Sequence, residues 1–369
     1  MKPTFDYPTA FSSWGPEERQ AIDRVIASGR FTMAQETEQF EHELAAYHGR
    51  QYAIAVNSGS SANEVAAEAL NYGSYLNRDI AVPALAWATT YSPFAHQGKN
   101  FLVYDCDDTW NAPISKDSAL ALGGAVVCSI LGNPAYLEEW RTACDDAGIP
   151  LIEDNAESLG ARTADGRLTG TFGHLSTSSF FYSHQVGAIE LGAILTDDPE
   201  LARLCRLLRN HGNSGWGQDD FDHLYSFELF GYNVRPVEMH CAIARAQLQK
   251  LNDLVAARRA NDAHFRAETS NLVTHPRLTS PHSSPFGLAF QAPTPELRSR
   301  LVTNLRAAGI DCRPPTGGSF TRHPYGAPWR DQPTPMADLI HSTGLFLGNP
   351  PWPAPDLVER AVKVLRETL

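Results

Sequence analysis

Long apolar runs are missing from this 369-residue chain: the longest, such as IAVPALAWA and LALGGAVVCSIL, are too short to span a bilayer. The N-terminal MKPTFDYPTAF is interrupted by Asp6 and two prolines, so neither an export signal nor a membrane helix is expected. Positive charge is short as well. With 30 Lys plus Arg against 42 Asp plus Glu, the net charge of -12 argues against binding a nucleic-acid backbone or an anionic membrane through counterion release. Any phosphate ligand must then be held by a local site. Closely paired cysteines are absent too: Cys106, Cys128, Cys144, Cys205, Cys241 and Cys312 are at least 16 residues apart, without the CxxC spacing of a zinc site or a redox dithiol. They read as reduced, buried thiols of a cytoplasmic protein, and no metal site is expected. Lysine is scarce. Only Lys2, Lys99, Lys116, Lys250 and Lys363 occur, and none lies between 116 and 250.

What is present is the composition of a globular chain, 43% apolar and 20% charged. AIAVN (53 to 57), DIAVP (79 to 83), FLVYD (101 to 105), AVVCSIL (125 to 131), PLIED (150 to 154) and GAILT (192 to 196) read as strands, with amphipathic stretches such as 135 to 147 as crossovers. That alternation is the βαβ signature of an α/β fold with a largely parallel sheet, whose ligands sit beyond the carboxyl ends of its strands. VEMHCAIARAQLQKLNDLVAARRANDAHFR reads as one long helix, PHSSPFGLAFQAPTP as a strand and ELRSRLVTNLRAAG as a helix. The pattern divides the chain into a large unit, residues 1 to 245, and a smaller C-terminal α+β unit, 246 to 369.

Three stretches could carry chemistry. NSGSSAN, Asn57 to Asn63, joins a strand to a helix with glycine and small hydroxyl residues, which lets backbone amides close on a phosphate; an ordinary serine cap has the same look. Glu153-Asp154 ends a strand at the ligand crevice, where a carboxylate could meet a protonated ring nitrogen or serve as a turn residue. Trp87 is either a stacking face or core. The third stretch is STSSFFYSHQVGAIELGAIL, Ser176 to Leu195.

Taken in order with GPEERQAIDRVIASGRFTMAQETEQFEHELAAYHG, PALAWATTYSP, EDNAESLGA, RNHG and GYNVRPVEMHCAIARAQLQKL, these stretches resemble the DegT/DnrJ/EryC1/StrS sugar aminotransferase family of fold-type I pyridoxal-phosphate enzymes. The likeness runs over nearly the whole chain. In most members a lysine five residues after the serine of the SF pair forms a Schiff base with the cofactor; here Ser179 and Phe180 are followed by His184 at that position. The exchange is similar to the lysine-to-histidine branch of sugar 3-dehydratases.

The resemblance implies that Gly59, Ser60 and Ser179 hold the cofactor phosphate, Trp87 stacks on the pyridine ring, Asp154 pairs with its nitrogen, and Glu157 lies near the ring. It implies further that Asn233 reaches the phosphate of a neighbouring subunit in a homodimer and that Arg235 binds an amino-acid carboxylate. His211 reads either as a helix C-cap or as a substrate residue. The activity implied is 3-dehydration of a nucleotide-linked 4-keto-6-deoxy sugar, with L-glutamate as amino donor giving 2-oxoglutarate, the pyridoxal or pyridoxamine phosphate bound non-covalently, and His184 as acid and base. Two other readings are an enzyme of the family acting on another sugar or sugar nucleoside, and a non-catalytic cofactor-binding protein. One departure bears on substrate geometry: the dehydratases usually read GEGG after the histidine, whereas this chain has Ile189-Glu190-Leu191-Gly192.

Overall fold

The computed structural model describes residues 5–76, 79–114, 122–215, 217 and 219–369; Lys2 and Lys116 lie outside them. Helices α1 (Pro16–Ser28) and α2 (Gln35–His48) precede an alternation of β1 (Tyr52–Val56), α3 (Gly59–Tyr72), β2 (Ile80–Pro83), α4 (Ala88–His96), β3 (Phe101–Tyr104), β4 (Gly124–Cys128), α5 (Leu137–Ala147) and β5 (Leu151–Asp154). Strands β6 (Leu175–Ser179) and β7 (Gly192–Thr196) follow, then α6 (Pro199–Arg209).

The seven strands form one sheet in the order β1-β7-β6-β5-β4-β2-β3. β7 is antiparallel to both neighbours, and the remaining pairs are parallel. Both faces are covered, which explains why the strands lack an apolar-polar alternation. In β1, Ile54 and Val56 face a core shared with α3 and α6, whereas Ala53 and Ala55 face a core shared with α2 and α7 (Glu238–Leu248). β1, β4, β5 and β6 all end on the same edge of the sheet, and the site forms there.

The chain then continues through α8 (Leu251–Thr269), β8 (Gly287–Gln291), α9 (Pro295–Ala307), β9 (Cys312–Arg313), α10 (Pro335–Thr343), β10 (Gly344–Gly348) and α11 (Pro355–Thr368). Its three strands make an antiparallel sheet in the order β8-β10-β9. That sheet packs α9 and α11 through Leu288, Phe290, Leu301, Leu305, Leu345, Val358 and Leu365. The long helix expected from 237 to 266 is two helices, broken at Gln249 and Lys250, where the Lys250 ammonium turns back to Glu17 and Glu18 of α1 at 2.9 and 2.8 Å. α8 runs between the cores, with Leu251 and Val255 under the large sheet and Phe265 under the small one. The N-terminal segment, expected with residues 1 to 245, inserts Tyr7 into the second core and bonds its hydroxyl to the Gly348 carbonyl at 3.0 Å.

Two expectations for the strands need amending. β6, LSTSS, has no apolar signature, because it is built of small hydroxyl residues, of which Ser176 and Thr177 are bonded to polar side chains of neighbouring elements. The run AVVCSIL stops being a strand at Cys128: Asn111 Oδ1 accepts from the Ile130 amide and Glu157 from the Leu131 amide, turning the chain into a 3-10 turn with Leu131 at φ 49. Among the described residues no helix is long and apolar enough to cross a membrane.

Candidate functional site

A cavity of about 640 Å3 opens between the carboxyl edge of the large sheet and Phe286, Arg313 and Phe346 of the second unit. Gly59, Ser60, Trp87, Asp154, Glu157, Ser179 and His184 all line it. Seven residues spread over 126 positions of sequence are thus brought to one wall by the strand ends.

The turn from β1 to α3 is held by Ser58, whose hydroxyl accepts the Ser61 amide at 3.1 Å. The amides of Gly59 and Ser60, which by position have no intrahelical acceptor, stand at the cavity wall. Close packing makes glycine necessary here. A Cβ on Gly59 would sit 2.5 Å from Ser179 Cβ, and one on Gly192 would strike the Ser58 carbonyl. The serine cap of NSGSSAN thus falls on Ser58, which leaves the phosphate reading to Gly59 and Ser60.

β5 separates its two terminal carboxylates. Glu153 turns away from the cavity and accepts from the amides of Phe172 and Gly173 at 2.9 and 3.1 Å and from Ser176 Oγ at 3.0 Å. Asp154 faces the cavity. Burial pushes its carboxyl up, while hydrogen bonds from Thr90, the Ala156 amide and Asn63 oppose that shift. No cation of the described residues is paired with it, so a protonated ring nitrogen would supply its counter-ion. Glu157 is buried and accepts the Leu131 amide at 2.7 Å; desolvation raises its carboxyl to about 8, so it carries a proton at neutral pH.

Trp87 precedes α4 and is 57% exposed on the cavity wall, so it is not core. His184 lies in the turn after β6, its Nδ1 3.4 Å from the Ser179 carbonyl and its ring 5.3 Å from that of Phe286. Burial lowers the imidazole to about 4, so it is neutral at pH 7. With the Nδ1 proton directed to Ser179, Nε2 is the open base.

No described lysine lines the cavity. Lys99 bonds the Leu76 carbonyl, Lys250 the carboxylates of α1, and Lys363 pairs with Glu367. The three residues expected beyond this wall are elsewhere. Asn233 is exposed and bridges Asn210, and Arg235 donates to Asn210 Oδ1 and His211 Nε2, both at 2.7 Å. His211, just past α6, has a left-handed backbone at φ 62. This cluster is tied to the β1 end through the Asn57 amide and the Val234 carbonyl at 2.9 Å, but it does not line its own chain's cavity.

Sequence reasoning missed Asn63, Thr90, Thr177 and Gln185. Gln185 donates to the Glu157 and Ser284 carbonyls at 2.7 and 2.8 Å, tying the His184 turn to the Glu157 turn. Asn63 and Thr177 sat inside motifs already singled out. Their signal was polarity in segments bounded by buried structure. Ile189, where the resemblance expects glycine, adopts φ 69, while Leu191 fills the core under the large sheet and Glu190 lines the cavity.

Residues 13–366 match the family model described as DegT/DnrJ/EryC1/StrS aminotransferase family. The chain belongs to this family. It is 35% identical to GDP-4-keto-6-deoxy-D-mannose 3-dehydratase of Yersinia pseudotuberculosis, covering 93% of this chain and 94% of that protein. It is 31% identical to dTDP-4-dehydro-2,6-dideoxy-D-glucose 3-dehydratase of Saccharopolyspora spinosa, over 84% of this chain and 74% of the other. The structure of the E. coli GDP-4-keto-6-deoxy-D-mannose-3-dehydratase with bound hydrated PLP superposes with a TM-score of 0.90 at 32% identity, covering 98% of this chain and all of that one. A structure of GDP-4-keto-6-deoxymannose-3-dehydratase with a trapped PLP-glutamate geminal diamine gives 0.89 at 32% identity, with 98% of this chain and 100% of the other covered. The mostly parallel mixed sheet with a smaller α+β unit is therefore the aminotransferase fold of the family.

Proposed function

We propose that this chain is a pyridoxal/pyridoxamine-phosphate-dependent 3-dehydratase of a nucleotide-linked 4-keto-6-deoxy sugar, using glutamate as amino donor. The observation that carries the reading is a half-buried, neutral imidazole on the wall of a cavity that no described lysine reaches. The residues present fit the cofactor. Gly59, Ser60 and Ser179 offer close-packed amides and hydroxyls for its phosphate, Asp154 a buried anion for its ring nitrogen, Trp87 a ring face, and protonated Glu157 a hydrogen-bond donor beside the ring.

When bound in its amine form, the cofactor supplies a nitrogen for the C4 ketone and an electron sink that lets the C3 hydroxyl depart. The protein's part is orientation and proton traffic. His184 Nε2 would take a proton from the cofactor carbon that bears the amine and, once charged, deliver it to the departing C3 hydroxyl, which would leave as water; the Ser179 carbonyl keeps the ring in the tautomer that permits this. Histidine, unlike lysine, has no primary amine that could displace a sugar from the cofactor, so His184 would be confined to proton transfer. In net terms the 4-keto-6-deoxy sugar and glutamate give the 4-keto-3,6-dideoxy sugar, 2-oxoglutarate and ammonia, and the GDP-linked substrate in the names of two relatives is the first to test.

The homodimer is supported by the bare aromatic face of Tyr225, Phe227 and Phe230 beside exposed Asn233 and by the position of Arg235 outside its own cavity; two-fold closure would bury the first and bring the second to a partner's site. Within the stretch LYSFELFGYNV, Leu229, Tyr232 and Val234 pack inside their own subunit, and the three exposed rings do not. A cytoplasmic setting accords with six free buried thiols.

Borohydride treatment of the cofactor-loaded protein followed by peptide mapping is the test of non-covalent binding. No pyridoxyl-lysine is expected. Modification of any of the five lysines would reject the reading.

A further inference from the structure

We infer that Thr177, which does not line the cavity, acts through Asn63 to hold the Asp154 carboxylate ionised and aimed at the cofactor ring nitrogen. The inference rests on the cofactor reading above and adds positioning residues to it.

Four polar side chains from four elements meet here, Asp154 and Asn63 on the cavity wall and Thr90 and Thr177 behind it. Asp154, the last residue of β5, and Thr177, in the middle of β6, are register partners. Asn63 comes from the second turn of α3, where asparagine is a poor helix former, so its place there must come from its contacts. Its amide is fully used. Nδ2 donates to Asp154 Oδ2 at 3.0 Å and to the Thr89 carbonyl at 3.3 Å, and Oδ1 accepts from Thr177 Oγ1 at 2.6 Å. Since a carboxylate and a carbonyl only accept, the amide can face one way only.

Thr90 Oγ1 adds a second side-chain donor to Asp154 Oδ2 at 2.8 Å, whereas Oδ1 receives only the Ala156 amide at 3.1 Å. The oxygen away from the side-chain donors is thus the one left to face a ligand. A buried carboxyl gains a proton unless donors favour its charged form, and here each donor is itself fixed. Without the Thr177 hydroxyl the Asn63 oxygen is buried without a donor, and its amide turns away from Asp154 to find one. Thr177 is 1% exposed and touches neither substrate space nor cofactor space, so a change there reports on the relay alone.

The test loads the protein with pyridoxal phosphate labelled with 15N in the ring and follows the nitrogen signal against pH. Wild type is expected to hold the ring nitrogen protonated through neutral pH. Thr177→Val should lower that titration by about one pH unit and weaken cofactor binding by about tenfold, and Thr177→Ser, which keeps the hydroxyl, should restore both. A folded Thr177→Val with the wild-type titration overturns the relay. If that variant does not fold, Asn63→Ala must give the same downward shift, and its failure to do so overturns the inference equally. Wild type that binds no pyridoxal phosphate would instead overturn the cofactor reading on which this one stands.

Discussion

The inner wall of the cavity and the outer face around Asn233 differ in how completely the chain satisfies its own groups. On the wall, Asn63 and Asp154 are buried and bonded to each other, Thr177 behind them donates to Asn63, and Gly59 is packed until no Cβ fits. On the outer face, Phe230 is 93% exposed, Tyr225 79% and Phe227 61%, next to an exposed asparagine. The wall is complete in one chain; the face has surface that a single chain leaves to water at a cost of about 25 cal/mol per Å2. Substitutions on the wall should therefore act on chemistry and cofactor, and those on the face on assembly.

The largest effect expected is on the wall. His184→Asn should lower dehydration on the order of a thousandfold, measured as ammonia release, while the variant still binds the cofactor. On the face, Phe230→Ser should weaken self-association by about tenfold or more in sedimentation, with the melting curve of the fold little changed. Chains carrying His184→Ala and Asn233→Ala should regain activity when mixed under subunit exchange, since one hybrid site receives both native residues. No recovery with verified exchange would put Asn233 and His184 in the same chain's site and erase the contrast between wall and face.

Acid should separate the regions as well. Burial holds His48, His184 and His275 at about 4 against an ordinary value of 6.5, so the unfolded chain binds protons between those limits that the folded one does not. Their contribution is complete above pH 6.5 and is lost as pH falls toward 4, up to about 3 kcal/mol for each histidine. The melting temperature of the cofactor-free protein should drop over that window, and His184→Asn should flatten part of the drop. Glu157 works in the opposite sense: its raised value of about 8 gives stability that is complete below pH 4.5 and is lost as pH rises through 8. Gly59→Ala should cost about 1–3 kcal/mol by overpacking against Ser179 and loosen cofactor binding. Smallest is Ile189→Gly. Relief of the left-handed backbone at φ 69 should stabilise the protein by about 1 kcal/mol or less, read by urea unfolding.

The same contrast governs what the sequence made legible. His184 stood out because a motif names the position and lysine is missing from it, and β1, β2 and β5 stood out because both of their faces are apolar. β6 did not, since Ser176 and Thr177 meet Glu153 and Asn63 rather than hydrocarbon. Which of Glu153 and Asp154 faces the ligand depends on the strand's register at its last residue, and a dipeptide does not reveal register. Asn233, Arg235 and His211 read as site residues, yet their own chain carries them outside its cavity, a placement that a motif does not reveal.

A histidine in a cavity that no described lysine lines would turn an aminotransferase scaffold to dehydration. Mass analysis of the sugar after incubation with pyridoxal phosphate, glutamate and the GDP-linked 4-keto-6-deoxymannose tests it most directly. The account expects a product lighter by one oxygen atom, with ammonia and 2-oxoglutarate released in equal amounts. An amino sugar that keeps its C3 oxygen, or an unchanged sugar beside fully loaded protein, would contradict it.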